Sequence, residues 1–412
     1  MVSVMEKQSI PVGYKQTEVG VIPEDWEIKS LGELVTTVEY GSSAKSSEMG
    51  LMPVLRMGNL RSGKIDWNGL VYTSDSTEIA KYKLNKNDVL FNRTNTVDLV
   101  GKTSIYKGEY PAVFAGYLIR INRIESLLDA DYLNYVLNSY HSKLYSKLVL
   151  SVAVSQANIN GQKLKTYPIP TPPTKEEQTA IANALSDVDA LIAALEKLIN
   201  KKSAIKTAAM QQLITGKKRL PPFDQLNTGY KQTELGEIPG DWEVIELRSV
   251  LSIRHGRDQK KIEVADGEYP ILATGGEIGR TNSFLFDKPS VLIGRKGTIN
   301  KPRFLDSPFW TVDTLFYSEI NSKFDEKFVY YKFYLIDWMS YNEASGVPSL
   351  NASTIESILQ SFPCSKDEQT AIANVLSDMD KDLEALQQRL HKTQQIKQGM
   401  MQELLTGKTR LV

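Results

Sequence analysis

Few residues of this chain are placed to do covalent chemistry. It has three histidines, His141, His255 and His391, and a single cysteine, Cys364. None of the histidines stands in a metal-ligand or triad spacing with the cysteine or a serine. Thr406–Thr409 reads TGKT, like the end of a phosphate-cradling loop, but Gln402 occupies the place of the first glycine. Glu27 and Lys29 match a nuclease fragment, yet the repeat described below has Glu243 and Ile245, so the lysine is lost. No glycine-rich methyl-donor loop follows a strand, and no Asn-Pro-Pro-Tyr tetrapeptide occurs. One cysteine allows no intrachain disulfide and no cysteine-rich zinc site, which fits a reducing cytoplasm. No apolar run reaches the roughly 18 residues of a membrane span. These residues do not support a free-standing enzyme.

Binding chemistry is better represented. Residues 35–165 hold 16 Lys and Arg against 11 Asp and Glu. Residues 251–361 are close to neutral, but their cations cluster in RHGRDQKK and RKGTINKPR. Glycine-flanked cationic loops approach a phosphate backbone closely, and Arg, Lys, Asn and Gln are the side chains that read base edges. The candidates in the first segment are Arg56, Asn59, Arg61, Lys64, Arg93, Asn95, Lys102 and Gln156. Those in the second are Arg257, Lys260, Thr274, Arg280, Asn282, Arg295, Lys296 and Lys301. Arg93–Thr96 and Arg295–Thr298 share an Arg-x-x-Thr frame, so each arginine has either a structural or a phosphate role. The plainer alternative is that these charges form a solvated face. Net charge gives no help, because 49 cations balance 49 anions, whereas a chain that binds DNA alone usually carries a basic excess.

The elements that must position these residues are duplicated. GYKQTEVGVIPEDWEIKSL, from Gly13, returns 216 residues later as GYKQTELGEIPGDWEVIEL, from Gly229. A 44-residue segment from Glu177 returns 191 residues later from Glu368, with 24 of 44 positions identical, which chance does not produce. The segments between, about 35–172 and 251–364, differ strongly. Each reads as short β-rich runs with Gly, Asn and Lys turns, then a tyrosine-rich helix whose rings are either a stacking surface for bases or, as helical spacing favours, part of a core. Each is a small α+β domain.

The second repeat is a long helix. Thr174 with Glu177, and Ser365 with Glu368, form capping-box signatures. Gly216 and Gly407, each followed by cations, mark the stops. Forty helical residues span about 60 Å. A heptad stripe runs through Ile181, Leu185, Val188, Ile192, Leu195 and Ile199, and again through Ile372, Leu376, Met379, Leu383, Leu386 and Leu390. A long helix with one apolar stripe needs a partner. The other copy is the nearest, and antiparallel pairing within the chain would satisfy a pseudo-two-fold.

Together these phrases resemble the specificity subunits of type I restriction–modification systems. The resemblance covers essentially the whole chain. It is carried by GYKQTEVGVIPEDW, EQTAIANALSDVDALI and MQQLITGKKRL, with PVLRMGNLRSGKI, SVLIGRKGTI and GVPSLNASTI inside the variable segments. It implies two target-recognition domains, 1–172 (repeat start 13–34) and 221–364 (repeat start 229–250). It implies conserved spacer helices in 173–220 and 365–412. Each domain would read one half of a bipartite, asymmetric double-stranded DNA target. The helices would separate the domains and dock methyltransferase subunits, two of them, with restriction subunits joining that core. S-adenosylmethionine, ATP and magnesium would belong to those partners, and this chain would bind no cofactor or metal. An interaction scaffold, with a coiled coil and two peptide-binding domains, is the competing reading. Salt-dependent DNA binding separates the two.

Overall fold

The structure is a computed structural model that describes residues 10–153, 156–226 and 229–411. Its contacts divide the chain into two units. One holds residues up to Leu195 together with those from Arg389; the other is Glu196–Gln388. The packing units therefore cut across the four segments expected from sequence. Each long helix, Lys175–Ile214 and Lys366–Leu404, starts in one unit and ends in the other.

The two variable domains share a topology. In the first, strands Thr103–Ile105, Val89–Asn92, Leu118–Arg123 and Val35–Tyr40 form an antiparallel sheet in that order. In the second, Arg303–Leu305, Ser290–Gly294, Leu315–Ile320 and Leu251–Arg254 repeat the order. A second sheet follows in each, with Val113–Phe114 or Trp310–Thr311 parallel to Met52–Leu55 or Tyr269–Ala273. The first domain adds the helices Ser76–Tyr82 and Tyr140–Val149 and the hairpin Ser151–Ala153 with Gln156–Asn158. A ladder closes the root of each domain: Glu27–Ser30 pairs with Pro168–Thr171, and Trp242–Glu246 with Leu359–Pro363.

The repeated residues turn out to be joints. Gln178 accepts from the amide of Asp129 and donates to the Leu127 carbonyl; Gln369 accepts from the amide of Asp325 and donates to that of Pro363. Asp129 and Asp325 in turn cap the tyrosine-rich helices. Asp189 accepts from Tyr135 Oη at 2.8 Å and pairs with Lys397; Asp380 accepts from Tyr331 Oη at 2.7 Å and pairs with Lys206. Tyr132, Tyr135, Phe328 and Tyr331 are core residues, as their helical spacing suggests, whereas Tyr140 and Tyr334 are exposed. Thr174 Oγ1 accepts from the Glu177 amide, as the capping signature requires, but the Glu177 carboxylate goes elsewhere.

That carboxylate meets Arg410. The guanidinium of Arg410 grips Glu177 and also both oxygens of Asp25 at 3.1 Å. In the other unit Arg219 donates to both oxygens of Glu368, at 2.8 and 2.7 Å, and to both of Asp241. Each unit is thus closed by the tail of the other repeat's helix. Just before each arginine the chain passes through a glycine with positive φ, Gly407 at +66° and Gly216 at +75°. Tyr14 Oη donates to the Gly407 carbonyl, and Tyr230 Oη to that of Gly216. A Cβ on Gly407 would sit 2.6 Å from Pro23 Cδ, and one on Gly216 2.5 Å from Pro239 Cδ.

Within each unit the start of one long helix packs against the end of the other, which is antiparallel pairing. Ile181, Ala182 and Leu185 share a core with Leu404 and Leu405; Met210, Leu213 and Ile214 share one with Ile372, Ala373 and Leu376. Ile181, Leu185, Leu195, Ile372 and Leu376 of the heptad stripe are buried, and Val188, Ile192, Ile199, Met379, Leu383, Leu386 and Leu390 are half-buried. Apolar residues off the stripe, such as Leu191, Ile205 and Ile396, are exposed.

Lys332 is the least expected core residue. It is 3% exposed, donates to Ser361 Oγ at 3.1 Å and lies over the ring faces of Trp242, Phe328 and Phe362. Burial pulls its pKa down to about 7.

Two stability outcomes follow from these contacts. Gly407→Ala is expected to destabilise the first unit and Gly216→Ala the second, each by about 1–3 kcal/mol, from left-handed backbone strain plus overpacking on proline. Hydrogen exchange resolved by segment reads this; protection lost equally in both units for either variant contradicts it. Lys332→Met is expected to stabilise by about 1–4 kcal/mol at pH 7 and below, by removing a buried charge. Between pH 7 and about 10 the unfolded lysine still holds its proton while the folded one does not, so wild-type stability rises with pH there. Urea titrations across that window should show the wild type approaching the variant; a constant gap refutes the assignment.

Candidate nucleic-acid interface

The candidate readers divide into exposed groups and groups already spent on the fold. In the first domain Asn59 is buried. Its Oδ1 accepts from the Arg56 amide, and its Nδ2 donates to the carbonyls of Asp66 and Asn68. It holds the 56–68 loop and has no free edge in this conformation. Arg56 donates to the Gly69 carbonyl, and Arg61 pairs with Asp66 at 3.2 Å while staying 75% exposed. Lys64 is exposed on the same hairpin, whose turn uses Ser62 and Gly63 at positive φ. Lys102 and Asn95 are half-buried, and Gln156 is exposed.

In the second domain Arg280 is fully engaged. It donates to the carbonyls of Gly267 and Glu268 and to the Glu277 carboxylate. Asn282 accepts from the Glu268 amide in the same corner. Thr274 donates to the Thr314 carbonyl, which also accepts from the Arg295 amide, so Thr274 and Arg295 are brought together. Arg257, Lys260, Lys296 and Lys301 are exposed. Arg257 is fixed through its backbone, whose amide donates to Thr311 and whose carbonyl accepts from Trp310 Nε1.

Arg93 and Arg295 occupy one structural position. The amide of Arg93 donates to Tyr117 and its carbonyl accepts from Ile159; the amide of Arg295 donates to Thr314 and its carbonyl accepts from Leu350. Arg93 lies 4.8 Å over the Tyr40 ring and donates to the Gly116 carbonyl, while Arg295 pairs with Asp313. Both guanidinium groups are tied to their own domain.

Each arginine opens a loop that is paired with a second loop. Thr94 and Asn95 stand opposite Asn158 and Ala157. Lys296 stands opposite Ser349, and the Gly297 amide donates to the Pro348 carbonyl at 2.9 Å. The loop Glu343–Ser349 carries none of the residues chosen from sequence, although GVPSLNASTI stands out there as a phrase. The missed signal is the 191-residue offset of the long-helix repeat. It carries Asn160, cap of the helix Gly161–Lys165, onto Asn351, cap of the helix Ala352–Ser357, and so carries Gln156 onto Val347.

Two positions thus keep their backbone partners and change their side chains, Ser42 against Arg257 and Thr94–Asn95 against Lys296–Gly297, and the 191-residue offset adds Gln156 against Val347. A frame that holds constant while its exposed groups vary can present two different patterns of donors, acceptors and charge. Among the described residues there is no group of three or more His, Cys, Asp or Glu placed to hold a metal, and no helix long and apolar enough to cross a membrane.

Comparison with known proteins agrees with this duplication. The family described as Type I restriction modification DNA specificity domain matches twice, over residues 23–206 and 239–398. A Methanocaldococcus jannaschii protein named as the specificity subunit of type I restriction enzyme MjaX is 31% identical, over 97% of each chain. The MjaVIII specificity subunit of the same organism is 23% identical, over 95% of this chain and 94% of its own. The crystal structure of a type I restriction–modification S subunit from M. genitalium has the same fold, with a TM-score of 0.64 at 18% identity over 92% of this chain and 96% of that one. Subunits of this kind are the non-catalytic members of their enzymes, which suits a site built of loops and cations. With both halves matched and the relatives covered end to end, the chain belongs to the specificity (S) subunits of type I restriction–modification systems.

Proposed function

We propose that this chain reads a bipartite, asymmetric DNA target, one half through each variable domain, and presents it to methyltransferase and restriction subunits docked on the long helices. The observation that carries this reading is the pair of equivalent two-loop sites with unlike exposed side chains. Identical readers would require a symmetric target; these two differ at each compared position. Arg257, Lys260, Lys296 and Lys301 in the second domain, and Arg61, Lys64 and Lys102 in the first, are the cations available to phosphates and base edges. Asn59, Thr274, Arg280 and the paired arginines hold the loops that carry them, as Asn282 does at its corner. Asn95 and Gln156 supply amides that can reach a base.

Zero net charge also fits a subunit of an assembly. Phosphate contacts supply most non-specific affinity, and a neutral chain gains them from a few local cations and from its partners. The number of docked methyltransferases, two in this proposal, follows from the two equivalent helix-pair surfaces that the duplication creates. S-adenosylmethionine and ATP chemistry then resides on those partners.

Two measurements test the proposal. Lys296→Ala and Lys301→Ala are each expected to weaken binding of the assembled methyltransferase complex evenly across sequences and to reduce the salt slope by about one; an unchanged slope removes that lysine from the interface. Insertion of one helical turn within residues 190–205 is expected to change the length of the unread spacer between the half-sites without changing either half. Mapping methylated positions genome-wide reads this, and an active insertion variant with an unchanged spacer ends the ruler role of the helices.

A further inference from the structure

The offset that aligns the long helices continues upstream into the variable domains. Ile159 and Leu350 make the same hydrogen bond to an arginine carbonyl. Ala157 and Pro348 face the same neighbouring loop, at Asn95 and Gly297. Asn160 and Asn351 cap the same short helix. Gln156 and Val347 are the next residues outward on that frame, and both are exposed.

Their chemistry differs. Val347 is 66% exposed, a β-branched apolar side chain held in water between Gly346 and Pro348. Its loop is not loose. Asn342 Oδ1 accepts from the amides of Ala344 and Ser349, and its Nδ2 donates to the Ala344 carbonyl at 2.8 Å. The Glu343 amide donates to Ser349, and Pro348 is tied to Gly297 beside the exposed Lys296. One buttressed loop thus holds a stiff methyl pair and is bonded through its backbone to the loop that carries Lys296. Gln156 offers an amide with a donor and an acceptor.

We propose that positions 156 and 347 are one base-reading position used twice, with Gln156 taking the N6 and N7 groups of an adenine and Val347 packing on the C5-methyl of a thymine. This rests on the DNA-reading function proposed above and adds the residue pair and the base edge each recognises. An amide matches the adjacent donor and acceptor of adenine, and an apolar side chain matches only the thymine methyl in the major groove. Lys296 and its loop supply the backbone contact that would bring Val347 to that depth.

The test removes single base atoms. The chain assembled with its methyltransferase subunits is bound to a duplex carrying its methylation motif, and each thymine of the half-site read by the second domain is replaced in turn by deoxyuridine. One such replacement is expected to weaken wild-type binding roughly fivefold and to leave Val347→Ala binding unchanged. In the other half-site, 7-deazaadenine at one position is expected to weaken the wild type and not Gln156→Ala. The pairing is overturned if each replacement affects wild type and variant alike, or if the second half-site contains no thymine. Loss of those couplings with motif preference intact refutes only this inference. A wild-type complex that does not prefer its motif over scrambled DNA refutes the DNA-reading function and this inference with it.

Discussion

Glu177 and Glu368 are almost completely removed from water, with side chains 2% and 1% exposed, and each is answered by one arginine from the tail of the opposite repeat. Burying a carboxylate costs several kcal/mol unless it is paired and its lone pairs are filled. Arg410 and Arg219 do both, and each adds an aspartate from the start of its domain. The geometry leaves little choice. A guanidinium reaches the buried glutamate only if the helix before it has ended, the glycine has turned the chain through a left-handed conformation, and the tail has passed over Pro23 and Trp26 or Pro239 and Trp242. Helix length, stop position and hairpin start are therefore fixed together. The first unit is assembled from both ends of the chain, and no contiguous half of the sequence contains it.

This constraint explains what is repeated and what is not. The residues that return at offsets of 216 and 191 are those of the joint: the hairpin, the tryptophan, the Glu-Gln pair, the second aspartate of Ser-Asp-x-Asp and the Gly-Lys-x-Arg tail. The variable domains attach to that joint through a two-stranded root and one capped helix. Everything beyond the root is free to change, provided the sheet order survives. The first domain uses that freedom for two extra helices and a strand pair, which add to its length. The variable domains can then change without disturbing the joint or the long helices.

Much of the frame was legible in the sequence because its causes are local or periodic. The caps at Thr174, Gly216 and Gly407 and the apolar heptads are signals of that kind, and no stripe residue is exposed. The candidate site was less legible, because a polar side chain in a glycine-marked loop looks the same whether it faces outward or inward. Asn59 and Arg280 have the right chemistry for base edges, but their donors and acceptors close their own loops. Val347 has neither charge nor amide to mark it in the sequence, since its interest lies in where an apolar group is held. Lys332, which looks like a surface cation in sequence, lies under three rings because its helix turns that face to the core.

In the proposed function the duplicated joint carries geometry and the variable domains carry sequence. The most direct measurement is the methylated motif produced by a chain in which the second variable domain, from Leu251 to its root strand, is replaced by the first, from Val35 to its root strand, with both joints left intact. The account predicts a bipartite motif with the first domain's half-sequence on both sides of the spacer. A motif that keeps its original second half would contradict it.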